Sequence, residues 1–510
     1  MESNKNTKRI VKNTLLLYMR SIIVMLIALY TSRVVLQSLG IEDFGLYNVV
    51  GGVVALFSFL RTSMTKSTQR FLNVEMTKPD GQMNKTFCVS LNIHLAIAFV
   101  TLVVTESIGL WFLNTYIQIP AGREFAANVI YQSTIISLIV TIVSVPYSAD
   151  IIAHEEMGFF AVVSIIDAIL RLAIALAITW GSCDRLILYG FLMASVSVLN
   201  LLLYVIYCRK KYVESKFIFF HDRVMTRKML SYTTWTVVGQ AAIIGTNHGN
   251  NLLMNMFHGV VANAAMGIAH QVNGAIVTLT SNFQTAFNPQ ITKSYAAKDY
   301  EYLKKLVYST SKISFILLVV VSLPIMFNMK YLLQLWLGKV PTYSEEFCIL
   351  ILCNSILNAM SAPFNFTVLS SGKIKWFQIV TSIAFLSDLI VLFPLFLSGF
   401  PAVTALVVKV ASMVLVVFVR IYFAHREVEC IDIQSFIKGV FSPLAMSTVL
   451  AVMSGLLLFH YAHSSFLILF STILLFIITL SLYLLLGLSD FERKSLYNLV
   501  IKIVKNKKYA

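Results

Sequence analysis

The apolar run NTLLLYMRSIIVMLIALYTSRVVLQSLG, residues 13–40, carries two guanidinium groups, Arg20 and Arg33. A charge near the centre of a bilayer costs between about 3 and more than 10 kcal/mol, so such residues mark a function or a partner. A guanidinium presents a rigid fork of donors that suits a phosphate or diphosphate. Arg20 lies about two turns inside the first run, and Arg61 closes the second run at a similar depth. Arg33 is about 20 Å further along the helix and about 140° away from Arg20 in azimuth. The two cannot face one point unless the helix kinks. Arg20 is therefore assigned to a polar cavity, and so are Arg33 and Arg61, with snorkelling to the headgroups as their competing explanation.

The second half carries amides where the first carries cations. In VANAAMGIAHQVNGAIVTLTSNFQTAFNP, the residues Asn263, His270, Asn273, Ser281, Gln284 and Asn288 fall within an arc of about 80°. The preceding run aligns Gln240, Asn247, Asn251 and His258 in the same way. Interhelical hydrogen-bonded glue needs one or two amides per helix, whereas stripes this long fit a water-lined cavity. Two ionisable pairs complete the set. Asp167 and Arg171 stand at i, i+4 with the acid first, the favoured order, and read either as a self-neutralising pair or as cavity lining. Asp388 and Lys409 sit at comparable depth on either side of the turn SGFPA, which predicts mutual neutralisation first and ion coupling or gating second.

Enzyme and metal chemistry find little support. DIIAHEEMGFF lacks the second histidine of a zinc helix, and no phosphate loop or nucleophile elbow is present. The six cysteines, Cys88, Cys183, Cys208, Cys348, Cys353 and Cys430, show no metal spacing and read as small core hydrophobes. No cofactor, metal or catalytic residue is expected.

What must position these side chains is a stack of membrane helices. Of 510 residues 58% are hydrophobic and only 13% charged, about half the charge of an ordinary soluble chain. Apolar runs near 20 residues recur throughout, the length needed to cross about 30 Å of hydrocarbon. Period-two alternation is absent, so the fold class is an all-α polytopic membrane protein, not a barrel. Hydropathy gives about fourteen spans, near 14–36, 46–62, 87–111, 125–148, 158–180, 187–207, 230–256, 262–288, 309–329, 347–367, 376–397, 402–423, 440–459 and 465–487. Basic residues fall about 29 to 3 on one side: the minority is Arg123, Arg185 and Lys339, and the majority includes both termini. The positive-inside rule places both termini in the cytoplasm. The net charge of +16 is then topology and attraction to anionic lipids, and nucleic acid is not needed to explain it.

A shift of 219 residues sets Gly40 on Gly259 and superposes a polar-spotted span, a glycine turn and a second polar-spotted span. The expected organisation is an N-terminal lobe (1–210, six spans), a cytoplasmic linker (211–228), a C-terminal lobe (229–425, six spans), and two accessory spans with a basic tail (426–510). Six spans per half leave the halves in the same orientation, as parallel repeats.

The segments NTLLLYMRSIIVMLIALYTSRVVLQSLGIEDFGLYNVVGGVVALFSFL and SMTKSTQRF resemble the N-terminal signature of bacterial polysaccharide exporters, the Wzx-type O-antigen flippases of the multidrug/oligosaccharidyl-lipid/polysaccharide (MATE-like) superfamily. VPYSADIIAHEEMGFFAVVSIIDAILRL resembles their fourth-to-fifth span segment. The resemblance implies two six-helix lobes in a V around a cavity lined with cations, corresponding here to Arg20, Arg61 and Arg33. It further implies a multi-pass protein of the bacterial inner membrane that moves a polyprenyl-diphosphate-linked oligosaccharide to the outer leaflet. Its partners would be membrane lipids and the polymerase and glycosyltransferases of the same pathway. Three rivals stay open: a lipid II flippase, a drug or cation antiporter of the same superfamily, and a membrane polymerase or glycosyltransferase. The antiporter needs unpaired intramembrane acids, and the last needs a large catalytic outer loop.

Overall fold

The computed structural model describes residues 2–55, 58–116, 119, 122–179, 184–216, 218, 222–338, 340–460, 464–488 and 492–493. Cys183, Lys339 and the tail lysines Lys494, Lys502, Lys505, Lys507 and Lys508 lie outside them, and for residues 2–12 only the backbone is described. Among the described residues the chain is helical, without strands. The first half comprises α1 (Glu2–Ala55), α2 (Ser58–Glu75), α3 (Met83–Val104), α4 (Leu110–Tyr116), α5 (Glu124–Ala153), α6 (Met157–Ala177) and α7 (Arg185–Lys211). Helix α8 (Arg223–Ala296) opens the second half, followed by α9 (Tyr300–Phe327), α10 (Met329–Leu337), α11 (Ser344–Ser371), α12 (Lys375–Leu397) and α13 (Thr404–Glu427). The short α14 (Ile433–Phe436), then α15 (Ser442–His460) and α16 (Ser465–Leu482), close the chain.

The 219-residue shift has a backbone counterpart. Helix α1 breaks at Gly40 (φ 81°, ψ 173°) and α8 breaks at Gly259 (φ 75°, ψ −170°). Both values lie in a region that only glycine visits readily. A side chain at either position would meet open space, so conformation, not crowding, demands the glycine. The two expected spans on each side of the break are thus helices that abut at one residue.

Helix ends follow local chemistry. Asp184 caps α7 by accepting from the amides of Leu186 (3.0 Å) and Ile187 (3.2 Å), and Asp222 caps α8 through Val224 and Met225 at 2.9 Å. Arg209, Lys210 and Lys211 end α7, where cations complement the helix dipole.

Among the described residues, eleven helices are long and apolar enough to cross a membrane. The other three expected spans, near 46–62, 230–256 and 262–288, are helical where described but fall outside those eleven. The latter two carry the amide stripes, which lower their hydropathy. Helix α2 runs to Glu75, about three turns past the expected end of its span, because its polar second half stays helical beyond the apolar stretch.

The chain divides into two compact units, Val11–Gln240 and Ala241–Ala510, with Met1–Ile10 grouped with the latter. The division falls inside α8 and not in the expected linker 211–228, whose described part is a short turn at Val213–Ser215. The first turns of α8 pack with the first unit because hydroxyls lock them there. Thr233 donates to Ser67 of α2 at 2.8 Å, and Met229 is buried against Val89 and Ile93 of α3. The core of the first unit is built on α5, fully buried from Ser144 to Ala153, packed by α2, α3 and α7. In the second unit α11 plays that part between α9 and α13, and α15 and α16 lie against α9.

Candidate functional site

Within Val11–Gln240 the cations and their partners gather on α1, α6 and α7. Half-buried Arg20 lays its guanidinium over the Phe160 ring of α6, 5.2 Å from the centroid, while its Nε is buried with no acceptor. The acid in this neighbourhood is already engaged. Asp167 accepts from Arg171 Nε at 2.8 Å and from Asn200 Nδ2 of α7 at 2.6 Å. Tyr204, one turn past Asn200, feels the charges of Arg61, Asp167 and Arg20 together. Arg171 is in similar range of Tyr47 and Tyr189, whose rings meet edge to face at 5.1 Å. The structure thus brings Arg20, Arg61, Asp167 and Arg171 into one region. Arg33 is exposed and has no partner among the described residues. The side chain of Arg61 is exposed as well.

Each end of this unit is closed by an ion triad. At the end with the basic loops, His154 follows α5 and bridges two carboxylates: Nδ1 lies 3.3 Å from Asp150 and Nε2 3.1 Å from Glu214 of the linker turn. Asp150 is fully buried and accepts from Ser215 Oγ at 2.8 Å, and the imidazole stacks on Tyr212 at 4.0 Å. Burial alone would lower the His154 pKa, but the two carboxylates outweigh it and raise it to about 9. The three ligand atoms lie within 4.8 Å of one another, the spacing of a metal site. With both ring nitrogens spent on carboxylates, the arrangement is that of a clamped imidazolium. Sequence spacing missed it because Glu214 lies 60 residues from His154. At the other end Arg123 binds Asp43, just past the Gly40 break, with Nε to Oδ1 at 2.9 Å, and also binds Asp184. The hydrogen bond to Asp43 and then that to Asp184 hold the Arg123 pKa above its usual value.

In Ala241–Ala510 the polar groups sit on α8, α11, α12 and α13. The expected Asp388–Lys409 neutralisation is not a contact. Lys409 Nζ donates to Asn247 Oδ1 of α8 at 2.7 Å, and the Lys409 carbonyl accepts from Asn354 of α11 at 3.1 Å. Asp388 is 2% exposed; it faces Ser412 and stays within charge range of Lys409, but no ion pair joins them among the described residues. Equal depth fixed their height, and azimuth sent the ammonium toward α8. Asn273 accepts from Ser355 at 2.7 Å, and His270 lies within charge range of Lys409. Asn263 and Gln284 are half-buried without a described partner, and Asn251 Oδ1 and Asn288 Oδ1 are buried without one.

The sequence reading overlooked Arg420. It is 6% exposed on α13, donating to Asn358 Oδ1 at 2.9 Å and Ser361 Oγ at 2.7 Å, with its Nε unpartnered. The missed signal was an arginine two turns inside a span with no acid three or four residues away.

Eleven helices long and apolar enough to cross a membrane among the described residues, with a glycine break repeated in each half, are those of a multi-pass membrane protein. The fold is that of MATE transporters. The structure is similar to an outward-facing multidrug resistance MATE family transporter of the MOP superfamily (TM-score 0.69, 12% identity, covering 85% of this chain and 99% of that one). It is likewise similar to a MOP superfamily transporter from Pyrococcus furiosus described by the reversed polarity of its binding pocket (0.69, 12%, 84% and 96%). A third similar structure is a MATE in its straight conformation (0.69, 12%, 84% and 97%). No curated protein matches by sequence. The MatE family model matches residues 229–393. The polysaccharide biosynthesis protein model matches residues 10–294, more than half of the chain, and the chain belongs to that family, within the MOP superfamily of exporters.

Proposed function

We propose that the chain is a flippase that carries an undecaprenyl-diphosphate-linked oligosaccharide from the cytoplasmic to the outer leaflet of a bacterial inner membrane, with both termini cytoplasmic. Family membership supports the pathway, and the polarity of the two units supports the cargo. Arg20 carries the reading: it is a cation on an apolar helix whose neighbouring acid is already bound by Arg171 and Asn200. A diphosphate is the anion that such a guanidinium lacks. The half-buried amides of Asn263 and Gln284 suit sugar hydroxyls, which exchange hydrogen bonds without strong preference. Alternating access then presents the site to each side in turn while the polyprenyl chain stays in lipid. An inside-negative potential favours outward movement of an anion by about 2.3 kcal/mol per charge per 100 mV.

A lipid II flippase would share this chemistry, and essentiality of the gene separates the two. An antiporter would need an intramembrane acid free of cations; Asp167 is bound and Asp388 lies near Lys409. Arg20→Ala should lower surface polysaccharide roughly 10- to 100-fold, the worth of one charge-assisted hydrogen bond, with the protein still inserted. Lipid-linked repeat units should accumulate on the inner face, and Arg20→Lys should rescue part of the export. Normal export by Arg20→Ala overturns the assignment.

A further inference from the structure

Lys409 stands between two acceptors on two different helices. In the structure its ammonium donates to Asn247 Oδ1 of α8 at 2.7 Å. The other acceptor is Asp388 of α12, 2% exposed and within charge range of Lys409. Its Oδ1 is buried and has no donor among the described residues, while Ser412 of α13 faces the carboxylate. A buried carboxylate oxygen without a donor costs more than an amide oxygen left in the same state, because the unmet group is charged. The strongest donor in range thus rests on the weaker of its two acceptors.

The backbones around Lys409 are tied in place, so the side chain is what can move. Helix α13 is joined to α11 through the Lys409 carbonyl, which accepts from Asn354 at 3.1 Å. Helix α8 is joined to α12 one residue before Asn247, where Thr246 Oγ1 donates to the Phe385 carbonyl at 3.1 Å. Two residues after Asn247 the same pair of helices comes closest: a Cβ on Gly249 would lie 2.7 Å from a methyl of Leu389, the neighbour of Asp388. A lysine ammonium carries three donors on a flexible four-carbon stem and can turn between partners without a backbone shift.

We propose that Lys409 is a two-position latch, its ammonium alternating between Asn247 and Asp388 and so joining α13 to α8 in the first position and to α12 in the second. In the first position the Asn247 side-chain carbonyl is occupied. In the second it is open, and an ion pair within the α12–α13 hairpin has replaced the bond to α8. A hydroxyl that donates to Asn247 Oδ1 in place of the ammonium favours the second position, and its binding shifts the population toward the ion pair. This last step rests on the reading of the amide stripes as the surface that meets the cargo's sugars. On that reading, capture of a sugar unties α8 from α13.

The test needs no cargo. It is a double-mutant cycle of Lys409→Met and Asp388→Asn, read by equilibrium unfolding of the full chain in mixed detergent and SDS micelles, in three backgrounds. In the parent the ammonium sits on Asn247, and the coupling between the two substitutions should be small. Asn247→Leu removes the first position, and the coupling should rise about tenfold as an equilibrium constant, the worth of one charge-assisted hydrogen bond. Asn247→Asp holds the ammonium on α8, and the coupling should fall below the parent's. The same coupling in all three backgrounds overturns the latch, and so does a rise with Asn247→Asp. Should Asn247→Leu fail to fold, the Asn247→Asp background still decides. Because the cycle contains no cargo it reports on the latch alone, whereas normal export by Arg20→Ala would overturn the flippase reading and leave the latch standing.

Discussion

The two units differ in how they hold some of their internal cations. In Val11–Gln240 charge meets charge: Arg171 with Asp167, His154 with Asp150 and Glu214, Arg123 with Asp43 and Asp184. In Ala241–Ala510 two interior cations rest on neutral groups, Lys409 on Asn247 and Arg420 on Asn358 and Ser361, while the buried Lys312 keeps an ion pair with Glu492 at 2.9 Å. A contact ion pair cancels its own field, so the first unit is left with few uncancelled charges, Arg20 foremost. An amide solvates a cation without cancelling it, so Lys409 and Arg420 keep more of their field than the paired cations do. On the proposed reading, an anionic cargo would meet the unpaired Arg20 of the first unit, with Lys409 and Arg420 the amide-held cations of the second.

The largest effect expected from this contrast is at the His154 clamp. Its pKa is raised from 6.5 to about 9, so its contribution to stability is fully present below about pH 6.5 and is lost as pH rises through about 9. The shift is worth at most about 3 kcal/mol, reduced by the partial exposure of the ring. Thermal unfolding of the purified protein between pH 6 and 10 should therefore show a fall in the midpoint across that window. His154→Gln should flatten the fall. An unchanged profile would mean that the Asp150 and Glu214 charges are compensated elsewhere and that the triad does not hold the linker turn.

A second test sets one arginine against the other. Arg171→Met leaves the Asp167 carboxylate without its cation and should cost about 2 kcal/mol, less than the 3–5 of a fully buried pair because both side chains are partly exposed. Adding Asp167→Asn should restore most of it. Arg420→Met removes a buried cation and leaves Ser361, which also donates to Leu357 O at 3.1 Å, and the exposed Asn358. Its cost should stay within about 1 kcal/mol. A loss at Arg420 as large as that at Arg171 would show that Arg420 has a counter-charge, and the contrast between the units would fall.

These outcomes bear on what the sequence could reveal. Asp167–Arg171 was legible because i, i+4 fixes both height and azimuth on one helix. Asp388–Lys409 was legible only in height; two helices leave their relative rotation open, and Asn247 of a third helix captured the ammonium. The clamp of His154 and the burial of Arg420 depend on partners 59 to 62 residues away in sequence, Glu214 and Asn358 to Ser361, which no local pattern contains. Helix α2 runs on past the expected span because hydropathy marks where lipid ends, not where a helix ends. The division into two compact units falls elsewhere than the expected linker for a related reason. A basic loop looks like a linker, yet hydroxyl contacts of α8 with α2 decide where one unit stops.

The repeat itself was legible through Gly40 and Gly259, and here the units should behave alike. Both residues hold a positive φ with an extended ψ, at the break between paired helices. Gly40→Ala and Gly259→Ala add no clash, since nothing lies within 4 Å of the new methyl. Each should cost about 1–2 kcal/mol of strain, or relieve that strain by straightening the break. Backbone strain alone would make the two effects equal, and with no shared partner they should add in the double variant. The first unit differs in one respect: Asp43, three residues past Gly40, is held by Arg123. Straightening there must also break that ion pair. If Gly40→Ala costs more than Gly259→Ala, and Arg123→Ala removes the difference, the pair fixes the angle of the first break, while in the second the glycine alone sets it.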